Sequence, residues 1–134
     1  MNKYLNVKIM TPYGLYFQND KVEYLEVRSD FSVLGILPNH APLVSTLIIS
    51  PMVIKIDGKK TEYAITGGVI HVKKDEVVLL VNAIESADEI DLERAKASKE
   101  RAEARLKEKS DEINAVRASA SLARALNRIN VKLH

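Results

Sequence analysis

The strongest constraint on the fold is a change of hydrophobic period near residue 86. Up to Val81, β-branched and aromatic residues alternate with polar ones, as in half-buried strands. From Ile90 onward the chain is mostly Ala, Glu, Lys, Arg and Leu, which are strong helix formers. The sequence therefore predicts an α+β chain with a β domain at residues 1–85 and a helical domain at residues 86–134.

Short runs in residues 1–85 predict about nine strands with no helical interval, which indicates an antiparallel β-sandwich or flattened barrel whose two sheets share one core. Residues 14–20 are expected to be a short edge or turn, and Ser50-Pro51 to split residues 43–56 into two strands. Asp57-Gly58 predicts a hairpin, and Gly67-Gly68 predicts a positive φ or a close backbone approach. The run Val77–Val81 has no polar face, so we expect a cover on both sides, from the other sheet and from the helices or a partner.

The helical domain is expected to be a hairpin of two helices, from Asp88 to about Lys109 and from Asp111 to about Asn130. The turn is predicted at Lys109–Asp111, with Ser110 or Asp111 as the cap of the second helix. The apolar seams are mostly alanine, so their contact is weak and the hairpin can open without unfolding. The expected seam residues are Ala95, Ala102 and Leu106 on the first helix and Ile113, Val116, Ala120 and Ala123 on the second.

Arginines recur at helical spacing on both helices. Arg117, Arg124 and Arg128 form one stripe, and Arg94 and Arg101 lie seven residues apart on the first helix. If the two lines face each other, four guanidiniums converge on a site suited to a triphosphate. The alternative is that these are solvated charges on a surface helix, partly neutralised by the acids of the first helix.

Composition limits the functional classes. Residues 1–85 are electrically balanced, residues 86–134 carry a net charge of +2, and no acid follows Glu112. This argues for one acidic partner surface or anion and against nucleic-acid binding. The chain has no Cys, no spaced metal-ligand set and no phosphate-binding glycine loop, so we expect neither a metal site nor an enzyme. No signal peptide and no membrane span are expected.

Three segments resemble the epsilon subunits of bacterial F-type ATP synthases in order and spacing. They are residues 35–44 (GILPNHAPLV), 65–72 (ITGGVIHV) and 89–96 (EIDLERAK). The resemblance implies a non-catalytic rotor subunit that couples proton-driven rotation to ATP synthesis. Its sandwich binds the gamma subunit and the c-ring. Its hairpin either folds against the sandwich or extends along gamma to the alpha and beta subunits, where it blocks ATP hydrolysis. The implied location is the cytoplasmic face of the bacterial cell membrane, reached only through the complex.

The resemblance also implies a regulatory ATP site, through the motif Ile-Asp-x-x-Arg-Ala and further arginines; no other cofactor is expected. In that site the arginines meet the phosphates, while Glu85, Ile90 and Asp91 line the nucleoside end. The matching residues are Glu85, Ile90, Asp91, Arg94, Ala95, Arg101, Arg124 and Arg128.

Two further surfaces follow from the same resemblance. Pro38, Asn39 and His40 belong to the loop expected to face the c-ring; Val33 stands where many relatives have an acid, so no charged contact is expected there. The second helix is the expected inhibitory element, through Arg117, Arg124, Arg128 and Lys132. Two alternatives stay open: a purely structural coupling subunit with a permanently folded hairpin, and a free-standing small ATP-sensing protein.

Overall fold

The computed structural model describes residues 3–108 and 112–134, which form eight strands followed by two helices, so the predicted α+β class is confirmed. The predicted turn at Lys109–Asp111 and its capping residue lie outside the described residues. The division into domains at residue 85 stays a prediction. The strands are β1 (Leu5–Thr11), β2 (Gly14–Val22), β3 (Tyr24–Arg28), β4 (Val33–Ile36), β5 (Leu43–Ile56), β6 (Lys59–Lys73), β7 (Glu76–Val81) and β8 (Ile84–Ser86), and the helices are α1 (Leu92–Lys107) and α2 (Glu112–Leu133).

The strands form one hydrogen-bonded sheet in the order β2-β1-β7-β6-β5-β3-β4, with β8 paired to β6. The neighbours are antiparallel except for β1 and β7, which are parallel, so the expected purely antiparallel pattern is corrected at that pair. In a flat sheet β2 and β5 would be roughly 19 Å apart, yet they are in contact. The sheet therefore folds over on itself around one core, which takes residues from both of its ends.

Two long strands replace the shorter ones that the sequence predicted. β5 runs through Pro51 without a break and pairs with β6 in one register from Leu43 to Ile56. The predicted break at Ser50-Pro51 is wrong because β3 pairs only with residues 53–55 of β5. β5 thus passes Pro51 where only one of its flanks carries a paired strand, a place where a strand tolerates proline.

The two predicted glycine features are confirmed. Asp57 and Gly58 join β5 to β6 with φ of 51° and 76°, the positive values of a tight hairpin turn. Gly68 supplies the close backbone approach, because a Cβ there would lie 2.1 Å from the Leu80 carbonyl oxygen. Gly67 has φ +103°. β6 continues through both glycines.

The remaining differences concern the sheet margins. Of the two alternatives for residues 14–20, the edge is confirmed, as the nine-residue edge strand β2, and β8 was not predicted. Along β7, Val77 and Leu79 are buried, whereas Leu80 is 56% exposed. The helices do not supply the second cover expected for this run, because α2 lies on β5 and β6. That a partner protein covers the exposed side of β7 stays a prediction.

The helices differ from the prediction in their start and in one face. α1 begins after Asp91, whose carboxylate caps it by accepting a hydrogen bond from Arg94 N at 3.1 Å. Of the expected seam, Ala95 and Ala102 are buried as predicted, and Ala120 is half-buried. The prediction is wrong for Ile113, Val116 and Ala123, which are exposed because α2 turns Ala118, Ala125 and Val131 inward instead. Leu106 on α1 is also exposed.

Candidate functional site

The position of α2 on the sheet is fixed by a polar contact. The Asn127 side-chain amide donates hydrogen bonds to the Ser50 carbonyl oxygen at 2.9 Å and to the Ile65 carbonyl oxygen at 3.2 Å. Ser50 and Ile65 are cross-strand partners on β5 and β6. One side chain of α2 therefore holds both long strands.

The end of α2 adds a small apolar cluster. Val131 and Ile90 are buried with Ala64, and Ala87 packs beside them. Lys132 Nζ donates to the Ala87 carbonyl oxygen at 3.0 Å. This cluster is separate from the main core of the sheet.

α1 is held mainly by α2. The residues that the two helices bury along their contact are alanines: Ala95 and Ala102 on α1, Ala118 and Ala125 on α2. Each alanine buries about one methyl group, or roughly 0.8 kcal/mol, so the contact is weak for its length. Long polar side chains flank this narrow seam and enclose two adjoining grooves.

The first groove has a volume of about 350 Å³ and lies between the start of α1, the end of β8 and α2. It contains both signs of charge, with three carboxylates and three guanidiniums. Its charged lining residues are Glu85, Glu89, Asp91, Arg94, Arg101 and Arg128.

Glu85 and Arg128 form an ion pair across the first groove, with Arg128 Nε 2.7 Å from Glu85 Oε1. Both side chains are about one-third exposed. The pair is therefore accessible, and a stronger anion can compete for the Arg128 guanidinium.

Glu89 is held on the wall of the first groove by two donors. The Tyr16 hydroxyl donates to Glu89 Oε1, and Ser86 N donates to the same oxygen at 3.0 Å. The hydrogen bond from Tyr16 is the main cause that lowers the pKa of Glu89, and the Ser86 amide adds to it. Burial and the neighbouring Glu89 carboxylate raise the pKa of the Tyr16 hydroxyl. An edge-strand tyrosine thus fixes the segment that leads into α1.

The second groove has a volume of about 310 Å³ and lies between the middle of α1 and α2. Arg101 Nη2 donates to Ser98 Oγ at 3.0 Å and Arg124 Nη2 donates to Ser121 Oγ at 3.1 Å, so serines orient two of its guanidiniums. Among the described residues, no Asp or Glu lines this groove. Its polar lining residues are Ser98, Arg101, Arg105, Ser121, Arg124 and Arg128.

Most of the residues predicted for a nucleotide site come together in these grooves. Glu85, Asp91, Arg94, Ala95, Arg101 and Arg128 line the first groove and Arg124 lines the second. Ile90 does not line them, because it is buried under Val131. Their role in binding stays a prediction.

The predicted basic stripe on α2 is only partly gathered. Arg124 and Arg128 face the grooves, whereas Arg117 is exposed outside both. The Lys132 ammonium group is used in the contact with the Ala87 carbonyl oxygen. The stripe is therefore divided between groove, solvent and sheet.

Sequence reasoning missed Glu89 and Arg105. Arg105 follows Arg101 by four residues, a spacing that puts both on one helix face, so the sequence carried a signal for it. Glu89 had none, because its partner Tyr16 is 73 residues away.

The loop expected to face the c-ring is tied to the turn between β6 and β7. Asn39 N donates to Asp75 Oδ1 at 2.6 Å, and His40 N donates to the Leu37 carbonyl oxygen at 3.2 Å. Pro38 and His40 are half-buried and Asn39 is exposed. In the neighbouring β3–β4 hairpin Phe31 is 96% exposed.

The described residues place limits on other sites. No helix among them is long and apolar enough to cross a membrane. Within the same residues, no group of three or more His, Cys, Asp or Glu is arranged to hold a metal ion.

Comparison with known families gives two adjoining matches. The family described as "ATP synthase, Delta/Epsilon chain, beta-sandwich domain" matches residues 4–87. The family described as "ATP synthase, Delta/Epsilon chain, long alpha-helix domain" matches residues 88–132.

Relatives resemble the chain over nearly its whole length. The ATP synthase epsilon chain of Bacillus subtilis is 43% identical over 129 residues, covering 96% of this chain and 97% of the relative. That of Bacillus licheniformis is 40% identical over 129 residues, covering 96% and 98%. In the cryo-EM structure of Euglena gracilis mitochondrial ATP synthase (OSCP/F1/c-ring in rotational state 1), one chain shares the fold with a TM-score of 0.88 at 21% identity, over 100% of this chain and 84% of that chain.

Proposed function

Because the chain belongs to the ATP synthase delta/epsilon family, we propose that it is a non-catalytic rotor subunit of an F-type ATP synthase. In this role it joins the gamma subunit to the c-ring, couples proton-driven rotation to ATP synthesis, and restrains ATP hydrolysis through its two helices. It lies at the cytoplasmic face of the bacterial cell membrane as a peripheral part of the complex.

An apolar outer face of the sheet supports the gamma contact. Val69 is cross-strand partner to both Thr46 and Leu80, and Leu80 is 56% exposed beside Met10 and Leu15. A sheet face in contact with solvent is usually polar. A contiguous apolar face is more typical of a surface that binds another protein. The gamma subunit would cover this face.

The loop at residues 38–42 and the β3–β4 hairpin support the c-ring contact. Phe31, Val33 and Leu37 are large apolar side chains exposed at this end of the sheet. The Asn39–Asp75 hydrogen bond stiffens the loop beside them. The contact would be apolar, which agrees with Val33 at a position where many relatives carry an acid.

The observation that carries a regulatory ATP site is the convergence of Arg94, Arg101, Arg124 and Arg128 on two adjoining grooves between the helices. Guanidiniums that approach one another repel unless an anion lies between them. Each presents planar paired donors that suit phosphate oxygens. ATP would replace the Glu85 carboxylate at Arg128 and place its nucleoside among the carboxylates of the first groove.

Such a site makes the hairpin a population switch. In the docked form, α2 lies on β5 and β6 and both helices line the grooves. ATP would stabilise this form by RT ln(1 + [ATP]/Kd) and leave an undocked form, in which α2 has left the sheet, unaffected. When ATP is scarce, α2 leaves the sheet, and Ile113, Val116 and Arg117 on its exposed face meet the alpha and beta subunits. The apolar part of that face is already solvent-exposed in the docked form.

The site is tested by calorimetric titration of the isolated chain with ATP. Arg94→Ala with Arg124→Ala should abolish binding, because one guanidinium is removed from each groove. Arg117→Ala is the matched control, since Arg117 lies on the same helix outside both grooves. Unchanged ATP binding in the double variant contradicts the site.

The brake is tested in the assembled enzyme by truncation. The cut belongs after Ala87, because Ala87 N donates to the Glu62 carbonyl oxygen and Ser86 ends β8. The shortened chain should assemble and raise the rate of ATP hydrolysis. Equal rates with and without residues 88–134 favour a purely structural coupling subunit with a permanently folded hairpin.

A further inference from the structure

The second groove contains an arginine that the nucleotide motif does not include. Arg105 stands one helical turn after Arg101, and across the seam Arg124 stands one turn before Arg128. Side chains four residues apart on a helix are neighbours, so two adjacent pairs face each other. Among the described residues, no carboxylate lies within ion-pair distance of Arg101, Arg105 or Arg124; the ion pairs there involve Arg128, Lys55 and Lys99.

The two grooves form one path with a gradient of charge. They share Ser98, Arg101 and Arg128, so a ligand can extend from one into the other. Among the described residues that line them, carboxylates belong to the first groove alone, while arginines and serines provide the polar lining of the second. Three guanidiniums balance the three carboxylates of the first groove, whereas the second has only guanidiniums, so a phosphate chain is attracted more strongly toward the second. The longer the chain, the further it reaches toward Arg105.

We propose that Arg105 is a specificity-determining residue that distinguishes a triphosphate from a diphosphate by binding the terminal phosphate. The proposal deepens the ATP site proposed above and rests on it for the nucleoside end. A diphosphate is satisfied by Arg101 and Arg128, which both grooves share. A third phosphate enters the second groove, where Arg105 and Arg124 approach it from opposite helices. Closure of the seam is then favoured by ATP more than by ADP.

Arg105 also has a structural role to separate from this one. It lies in the last turn of α1, where a cation interacts favourably with the helix dipole. Lys107 lies in the same turn and is exposed, yet it does not line the groove. Lys107→Gln is therefore the matched control for Arg105→Gln, since both remove a charge from this helix end.

The experiment measures the affinity of the full chain for ATP, ADP, inorganic tripolyphosphate and pyrophosphate by calorimetry. Arg105→Gln should weaken ATP and tripolyphosphate roughly tenfold or more, the effect of losing one charge-assisted hydrogen bond. ADP and pyrophosphate should change by less than about twofold. Lys107→Gln should leave all four affinities unchanged, and Arg105→Lys should recover part of the loss.

The outcomes separate this inference from the proposed function. If the original chain binds ATP and the Arg105→Gln variant has the same ratio of ATP to ADP affinity, Arg105 does not bind the third phosphate. Only this inference is then wrong. If the original chain binds tripolyphosphate in an Arg105-dependent way but does not prefer ATP to it, the proposed nucleoside binding is wrong. Recognition of the third phosphate by Arg105 is then still supported. If the original chain binds none of the four ligands, both are wrong.

Discussion

Arg128 Nε lies 2.7 Å from Glu85 Oε1, so one ion pair joins the second helix to the last strand of the sheet. The pair occupies the groove that the nucleotide would enter. Both side chains are about one-third exposed, and such pairs typically contribute about 0.2–1 kcal/mol. The ion pair is thus a weak internal substitute for an anionic ligand, and it adds to the contact between α2 and the sheet.

Exchanging the two charges separates docking from ligand binding. Glu85→Arg alone should weaken docking, because two guanidiniums then face each other. Adding Arg128→Glu should restore docking, measured as slow amide exchange along α2. The exchanged pair should still fail to bind ATP, because a carboxylate now stands on α2 where a phosphate-binding guanidinium is needed. Recovery of ATP binding in the exchanged pair contradicts the role of Arg128.

The Tyr16–Glu89 contact predicts a specific pH dependence. The pKa of Glu89 is lowered from its ordinary value of 4.5, so the folded state favours the carboxylate and gains stability above that pH. Tyr16→Phe should reduce the free energy of unfolding by about 1 kcal/mol near neutral pH. The difference between the variant and the original chain should shrink as pH falls below about 4.5.

Tyr13→Phe is the control for this prediction, because Tyr13 is 99% exposed near the same edge strand. Its stability should match that of the original chain at every pH. A Tyr16→Phe deficit that stays constant down to pH 2 means that the lost hydroxyl acts independently of the Glu89 charge, because phenylalanine keeps the ring that packs against Tyr63.

Local patterns predicted the parts of the fold that depend on neighbours in sequence. Alternation of apolar and polar residues predicted half-buried strands such as β1, in which Leu5, Val7 and Ile9 are buried. Asp57-Gly58 predicted the hairpin between β5 and β6. The continuity of β5 through Pro51 was not predictable, since it depends on where β3 stops pairing. The strand pairing around Pro51, and not the local sequence, determines that β5 is continuous there.

The candidate site shows the same division. Helical spacing put Arg94, Arg101, Arg124 and Arg128 on two lines, and these residues line the two grooves; the same spacing had the information to include Arg105, and a role in binding stays a prediction. It misplaced the inner face of α2, because Ile113 and Val116 are more apolar than the alanines that are buried instead. A narrow contact between two helices selects for small side chains, which hydrophobicity alone does not reveal.

Gly68 predicts a large local effect on stability. A Cβ at this position would lie 2.1 Å from the Leu80 carbonyl oxygen and 2.8 Å from Val81 Cα, both backbone atoms that cannot rotate away. Gly68→Ala should therefore separate β6 from β7 and cost about 3 kcal/mol or more, which lowers the melting temperature by roughly 10 °C. Gly58→Ala is the control: its φ is +76° but no atom lies within 4 Å of the added Cβ, so it should cost only about 1 kcal/mol. Equal losses in the two variants contradict the steric argument.

Asn127 predicts a selective loss of helix docking. Its amide serves the Ser50 and Ile65 carbonyl oxygens, so Asn127→Ala removes two hydrogen bonds from the contact between α2 and the sheet. The expected cost is about 1–2 kcal/mol, seen as roughly tenfold faster amide exchange along α2. Exchange in β1 and β7 should not change, because their core is separate from the cluster of Ala64, Ile90 and Val131. Asn130→Ala is the matched control, since Asn130 lies on the same helix and is exposed. If both variants accelerate exchange equally, helix propensity or fraying explains the effect and the polar contact does not hold the helix.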